Sequence, residues 1–146
     1  MRTRRLPHRS CYILVFNRRG DLFIHLRTPT KDVYPGHWDV AVGGVLAAGE
    51  GFAEAAAREL AEELGVAATL EPLFPLRWED AHTIVHGMVF RAVHDGPFRL
   101  QPEEIVRGEF LAVDAVLARA RGDAFCPDGL AALAELRRRA GATAGS

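Results

Sequence analysis

The apolar residues of this chain change period several times, and each change marks an element. Ser10 to Asn17 (SCYILVFN) and Leu22 to Arg27 (LFIHLR) are β-rich runs separated by the polar stretch Arg18-Arg19-Gly20-Asp21, which predicts a hairpin. Thr28 to His37 contains Pro29, Pro35 and Gly36 and reads as a loop. Trp38 to Val45 (WDVAVGGV) alternates like a strand and then breaks at the glycine pair, and Leu46 to Gly51 is a second loop. From Phe52 the period becomes helical. Ala53, Ala56, Ala57, Leu60 and Leu64 form one stripe, and Gly65 stands where a glycine should end the helix. Val66 to Trp78 and Thr83 to His94 read as strands joined through Glu79-Asp80. Asp95-Gly96-Pro97 is a turn and Ile105 to Ala112 a short strand. Asp114 to Arg121 and Gly129 to Ala140 read as helices, the second ending in three arginines that suit a helix C-terminus. Strands alternating with helices predict an α/β (α+β) fold with a mixed sheet. One domain is expected over 1–146, with loose tails at 1–7 and 141–146.

Composition narrows the functional classes. The 146 residues are 49% hydrophobic and 25% charged, with a net charge of −1. Such a balance gives no global field for nucleic acid or a membrane, and neither is expected as a partner. The basic start, MRTRRLPHR, reads as a frayed solvated tail. Leu6-Pro7-His8-Arg9 interrupts any signal-peptide core there, and no apolar run is long enough to span a bilayer. Cys11 and Cys126 lack metal-ligand or CxxC spacing, so both are expected as free thiols of a cytoplasmic protein. Arginine dominates the cations. Lys31 is the single lysine, for which codon bias is a sufficient explanation.

The helix at 52–64 carries the chemistry. Glu59, Glu62 and Glu63 stand three and four residues apart, on one helical face and turned away from most of the alanine–leucine stripe. Like charges so packed repel, and a cation offsets that repulsion. Carboxylates are hard ligands, so the cation expected is Mg²⁺ or Mn²⁺. Glu50, before the helix, is favoured by the helix dipole and can fold back toward Arg58, while Arg58 and Glu62 form an i,i+4 pair. Gly43 and Gly44 let backbone approach a metal or a phosphate without a Cβ in between.

Gly44, Glu50, Arg58, Glu59, Leu60, Glu62, Glu63, Gly65 and Val66 fill every defined position of a known motif, so the segment resembles the Nudix box of the Nudix hydrolases. A chance match in a chain of this length is on the order of one in a million. The resemblance implies an α/β/α sandwich and hydrolysis of a pyrophosphate bond in a nucleoside diphosphate-linked substrate, with Mg²⁺ on the phosphates. It implies metal ligation by Glu59, Glu62, Glu63 and the Gly43 carbonyl, with Arg58, Glu59 and Glu62 in the catalytic apparatus. The partner implied is a small nucleotide or other diphosphate, and a homodimer is the preferred assembly. Glu59 ranks first as the base that takes a proton from water.

The likeness extends outward. His8-Arg9, SCYILVFN, LRTPTKDVYPGHWD and HDGPFRLQPEEI resemble the YfcD-type Nudix proteins, which are themselves similar to isopentenyl-diphosphate isomerase. An isomerase would carry cysteine at 43 and histidine at 45. Gly43 and Val45 stand there instead, which argues for hydrolysis. Glu104, with Glu103 as fallback, is the candidate for a further ligand or base. His8, Arg27, Gly44 and Glu50 are candidate substrate contacts. His82 and His86 read as cleft or surface residues, Trp38 as core, and Tyr34 and His37 as loop aromatics able to stack on a base. The expected pocket lies between the sheet and the loops around 28–37 and 79–86.

Overall fold

The computed structural model describes residues 6–144. Residues 1–5 of the basic arm lie outside them. Seven strands form one mixed sheet: β1 (Pro7–Phe16), β2 (Leu22–Arg27), β3 (Trp38–Asp39), β4 (Val42–Val45), β5 (Glu71–Glu79), β6 (Ile84–Val93) and β7 (Ile105–Leu111). Three helices cover it: α1 (Phe52–Leu64), α2 (Val113–Arg119) and α3 (Pro127–Ala144). The central strand β1 shows why two layers are needed. Its side chains alternate, so Tyr12 and Leu14 pack with Val116 of α2 and Ala132 and Leu133 of α3. Cys11, Ile13 and Val15 pack on the other face with Ala55, Ala56, Leu60 and Leu64 of α1. A strand apolar on both faces must be sandwiched, which gives the expected α/β/α arrangement.

The hairpin expected at 10–27 opens almost at once. β1 and β2 are paired at Phe16↔Leu22, just beyond the turn closed by Gly20 N–H to Asn17 O at 3.0 Å. They then diverge. β1 runs parallel to β6 from Pro7↔Ile84 to Phe16↔Val93 and takes β4 on its other edge, while β2 pairs with β7 and β3. The single strand expected at 38–45 is therefore two. β3 belongs to the β2 ladder and β4 to the β1 ladder, with the break at Val40-Ala41; Gly43 and Gly44 lie within β4. Strand β5 begins at Glu71 rather than Val66, and α3 continues through Ala144 where a loose tail was expected.

Helix α1 has the predicted bounds. Gly65 ends it in the left-handed region at φ 69°, donating its N–H to Ala61 O at 3.0 Å. A Cβ there would also stand 2.9 Å from Arg99 Cβ. Gly65→Ala is expected to cost about 1–2 kcal/mol in denaturant unfolding. The buried stripe differs from the predicted one: Ala55, Ala56, Leu60, Glu63 and Leu64 are buried, and Ala53 and Ala57 are exposed. Glu63 follows Ala56 by seven residues, almost two full turns, so it falls on the core-facing side. The three glutamates consequently do not share one environment.

Candidate active site

The divergence of β1 and β2 opens a cavity of about 600 Å³. Its walls come from β1, β2 and the loop after it, β4, α1 and the segment before β7. The helix wall supplies Glu59 and Glu63. Glu63 is 6% exposed, and its Oε2 accepts the Gly43 N–H at 3.1 Å. Burial, then a hydrogen bond with Glu59 and that neighbour's charge, holds the Glu63 carboxyl well above the usual carboxylate range. The glycine wall matches it. A Cβ on Gly44 would come 3.0 Å from Glu59 Oε1, and a Cβ on Gly43, at φ 144°, would come 2.1 Å from Cys11 O. The backbone at 43 thus has no room for the cysteine an isomerase would need.

Arg58 organises the outer side of the helix. Its Nε and Nη2 donate to both Glu50 oxygens at 2.8 and 2.9 Å, and its Nη1 donates to Glu59 Oε1 at 2.9 Å and Glu62 Oε2 at 3.3 Å. Hydrogen bonds from Arg58, then from the Ala47 N–H, lower the Glu50 carboxyl to about 2. Arg58, Glu50 and Glu62 do not line the cavity. Glu50 is bound to Arg58, as its expected fold-back requires, and Glu62 is 48% exposed on the Arg58 side as its i,i+4 partner. Arg58 pairs with both Glu59 and Glu62, and among the described residues no three His, Cys, Asp or Glu side chains are already gathered around a common point. The Glu59–Glu63 pair, facing glycines that leave it uncovered, still offers hard oxygen donors in need of positive charge. That donor set suits a divalent cation.

Other predicted residues are distributed as follows. Glu104 and Glu103 line the cavity; Glu104 Oε2 is paired with Lys31 Nζ, and the Glu103 carbonyl accepts from Thr28 Oγ1 at 3.2 Å. His8 lines it beside Thr83, with Nε2 and Oγ1 3.4 Å apart. Arg27 reaches it while its guanidinium donates to Val33 O at 2.7 Å and Tyr34 O at 3.2 Å, which fixes the 28–37 loop. Tyr34 lines the cavity, hydrogen-bonds Asp80 and packs edge-on against His82; His37, His82 and His86 are outside the lining. Trp38 is core, 8% exposed, stacked on Phe125 with Arg119 over its ring at 4.5 Å. Cys11 and Cys126 are free and buried.

Sequence reasoning missed a second acidic part of the cavity wall. Asp39 of β3 and Asp128 of α3 meet there, with Tyr12 Oη donating to Asp128 Oδ2 at 2.9 Å and the Ala41 N–H donating to Asp39 Oδ1 at 3.2 Å. The residues lie 89 apart in sequence, so no local motif signals the pair; Lys31 was visible only as the single lysine. Burial, then the Asp128 charge, raises the Asp39 carboxyl to about 7. The folded state therefore keeps a proton that the unfolded chain releases near pH 4, and this contribution is lost as pH rises through 7. Asp39→Asn is expected to raise the melting temperature over wild type at pH 8, by roughly 1–2 kcal/mol of stability, with little change at pH 4. Thermal melts across pH test this. His25, beside Asp39 in the β2–β3 ladder, is 2% exposed. Burial first, then Arg27 and Lys31, lowers its ring to about 3, so it stays neutral and favours the folded state above pH 6.5.

Comparison with known proteins agrees with this architecture. The NUDIX domain family matches residues 6–130. An uncharacterized Nudix hydrolase of Pseudomonas aeruginosa is 44% identical over 91% of this chain and 79% of its own length. The uncharacterized Nudix hydrolase YfcD of Escherichia coli K12 is 39% identical over 95% and 77%. Among solved structures, a Deinococcus radiodurans protein superposes with a TM-score of 0.72 at 33% identity, covering 90% of this chain and 82% of that one. The NUDIX domain of Shewanella oneidensis NrtR, solved with ADP ribose, superposes with a TM-score of 0.70 at 16% identity, covering 94% and 90%, a likeness of fold alone. The chain belongs to the Nudix hydrolase family, among its YfcD-like members.

Proposed function

We propose that this protein hydrolyses a pyrophosphate bond in a nucleoside diphosphate-linked substrate, with Mg²⁺ as cofactor. The observation that carries the reading is the Glu59–Glu63 carboxyl pair set directly against Gly43 and Gly44 in the wall of a cavity large enough for a nucleotide-sized ligand. Glu59, Glu63 and the Gly43 carbonyl would hold the ion, with Glu62 joining once released from Arg58. Bound Mg²⁺ would neutralise charge on the diphosphate. Water attacks phosphorus, a new P–O bond forms as the bridging P–O bond breaks, and the departing phosphate leaves with the bridging oxygen. Glu59 is the preferred acceptor for the proton of that water, and Glu104 the alternative. Lys31 and Arg27 bring positive charge to the wall that faces the phosphates. The free thiols suit the cytoplasm, the compartment we propose.

The test is a screen of nucleoside di- and triphosphates, nucleotide sugars, dinucleotides, ADP-ribose and prenyl diphosphates, with and without Mg²⁺. ADP-ribose is included because the structurally similar NrtR domain was solved with it. Mg²⁺-dependent cleavage of a nucleoside diphosphate-linked compound is expected. Retained ligand binding with no turnover across the panel would overturn the assignment in favour of a binding domain.

A further inference from the structure

Among the described residues Arg27 and Lys31 are the lysine and arginine side chains that line the cavity. Arg27 commits its guanidinium to the Val33 and Tyr34 carbonyls. Lys31 pairs its ammonium with Glu104 Oε2, and the two side chains are 26% and 36% exposed. The backbone beneath this pair is fixed on both sides. The Thr28 N–H donates to Glu104 O and Thr28 Oγ1 to Glu103 O, each at 3.2 Å, which ties the Lys31 loop to the segment before β7. The Gln101 N–H donates to Glu63 O at 3.0 Å and the Glu104 N–H to Gln101 O at 3.0 Å, which ties that segment to the end of α1. Glu104 is close enough for its charge to add to those that raise the Glu63 carboxyl. It therefore belongs electrically with Glu59 and Glu63, while its side chain is turned to Lys31.

We propose that Lys31 is a built-in counter-ion of the acidic centre, which competes with a divalent cation for Glu104, so that cation binding draws Glu104 away and frees the ammonium within the cavity. The exchange rests on the reading of Glu59 and Glu63 as cation ligands. The competition is unequal. A divalent cation brings twice the charge of an ammonium and favours carboxylate oxygens. A part-exposed ion pair is weak and is readily given up. The movement needs no backbone change. Lysine is a point charge on a flexible four-carbon stem, and glutamate also turns about its side-chain bonds, so the Thr28 and Gln101 hydrogen bonds can persist. No proton changes hands. Lys31 keeps its charge and becomes available to an anionic group only when the cation is in place, which couples the two binding events. Lys31 is thus a positioning residue in the cation's absence and an anion contact in its presence.

Lys31 is the single lysine, so protein made with ¹³C-lysine gives one set of lysine NMR signals that reports this pair in the unmodified chain. The probe is Mg²⁺ alone, with NaCl at matched ionic strength as control, and calorimetry measures Mg²⁺ affinity in parallel. The wild-type Lys31 Cε signal is expected to move saturably with Mg²⁺ and not with NaCl. In Glu104→Gln it should start near the Mg²⁺-loaded position and stay there. Lys31→Met is expected to bind Mg²⁺ roughly three- to fivefold more tightly than wild type, the scale of a part-exposed ion pair, and the gain should vanish when Glu104→Gln is added. A gain that persists undiminished in the Glu104→Gln background is a general charge effect and overturns the exchange. A wild-type signal that stays still while calorimetry shows Mg²⁺ bound also overturns it, needs no variant to fold, and leaves the cation site intact. Absence of Mg²⁺ binding by wild type overturns both readings.

Discussion

Glu63→Gln is expected to lower the turnover of the best substrate a hundredfold or more while the protein stays folded. A hundredfold corresponds to about 2.7 kcal/mol of transition-state stabilisation. The amide oxygen of glutamine can still accept the Gly43 N–H, so the link from α1 to β4 survives. The negative charge does not survive, and the charge is what attracts a hard cation. Burial already opposes ionisation of this side chain, so the melting temperature should hold or rise slightly. The measurements are steady-state rates over a Mg²⁺ titration and a thermal melt. A folded variant with full activity would show that the cation site has been assigned to the wrong residue.

Gly43→Ala should have the largest effect on stability, a loss of at least ~3 kcal/mol or failure to accumulate as soluble protein. Two costs coincide. The backbone sits at φ 144°, where side chains are strained, and the new Cβ would meet Cys11 O at 2.1 Å and Cys11 C at 2.9 Å. Both obstructing atoms are backbone of β1, paired with β4 in the ladder, so no rotamer change relieves them. Gly44→Ala provides the contrast. The atoms nearest its Cβ all belong to the end of the Glu59 side chain, the first at 3.0 Å. That variant should fold, and its loss should appear in catalysis as Glu59 is displaced. Denaturant unfolding and turnover, measured on both variants, separate the two roles. Equal stability of the two would refute the argument from close approach.

The contrast also shows what could be read from the chain alone. Helix α1 was legible to its last residue because the signals are local: alanine-rich propensity, apolar spacing and Gly65 as a stop. The motif around it was legible because fixed spacings between glycines and glutamates constrain one segment of backbone. The ladder switch between Asp39 and Val42 was not, since it depends on which distant strand each half meets. The burial of Glu63 was obscured by its charge, although its seven-residue offset from Ala56 implied it. The Arg58 contacts to Glu50 and Glu62 were legible because both follow from spacing around one helix, eight residues back and four ahead. Asp39 and Asp128 lie on different elements and meet only when α3 docks against β3.

The opening of the β1–β2 hairpin builds the cavity wall from two separate ladders. Gly43 and Gly44 are fixed by hydrogen bonds to β1, whereas Asp39 and the loop at 28–37 are carried by β2. The backbone of one ladder can therefore vary with little disturbance to the hydrogen bonds of the other. Exchanges at exposed positions of the 28–37 loop would reshape the cavity wall while the β1–β4 register, and with it the Gly43 N–H to Glu63 bond, stays unchanged.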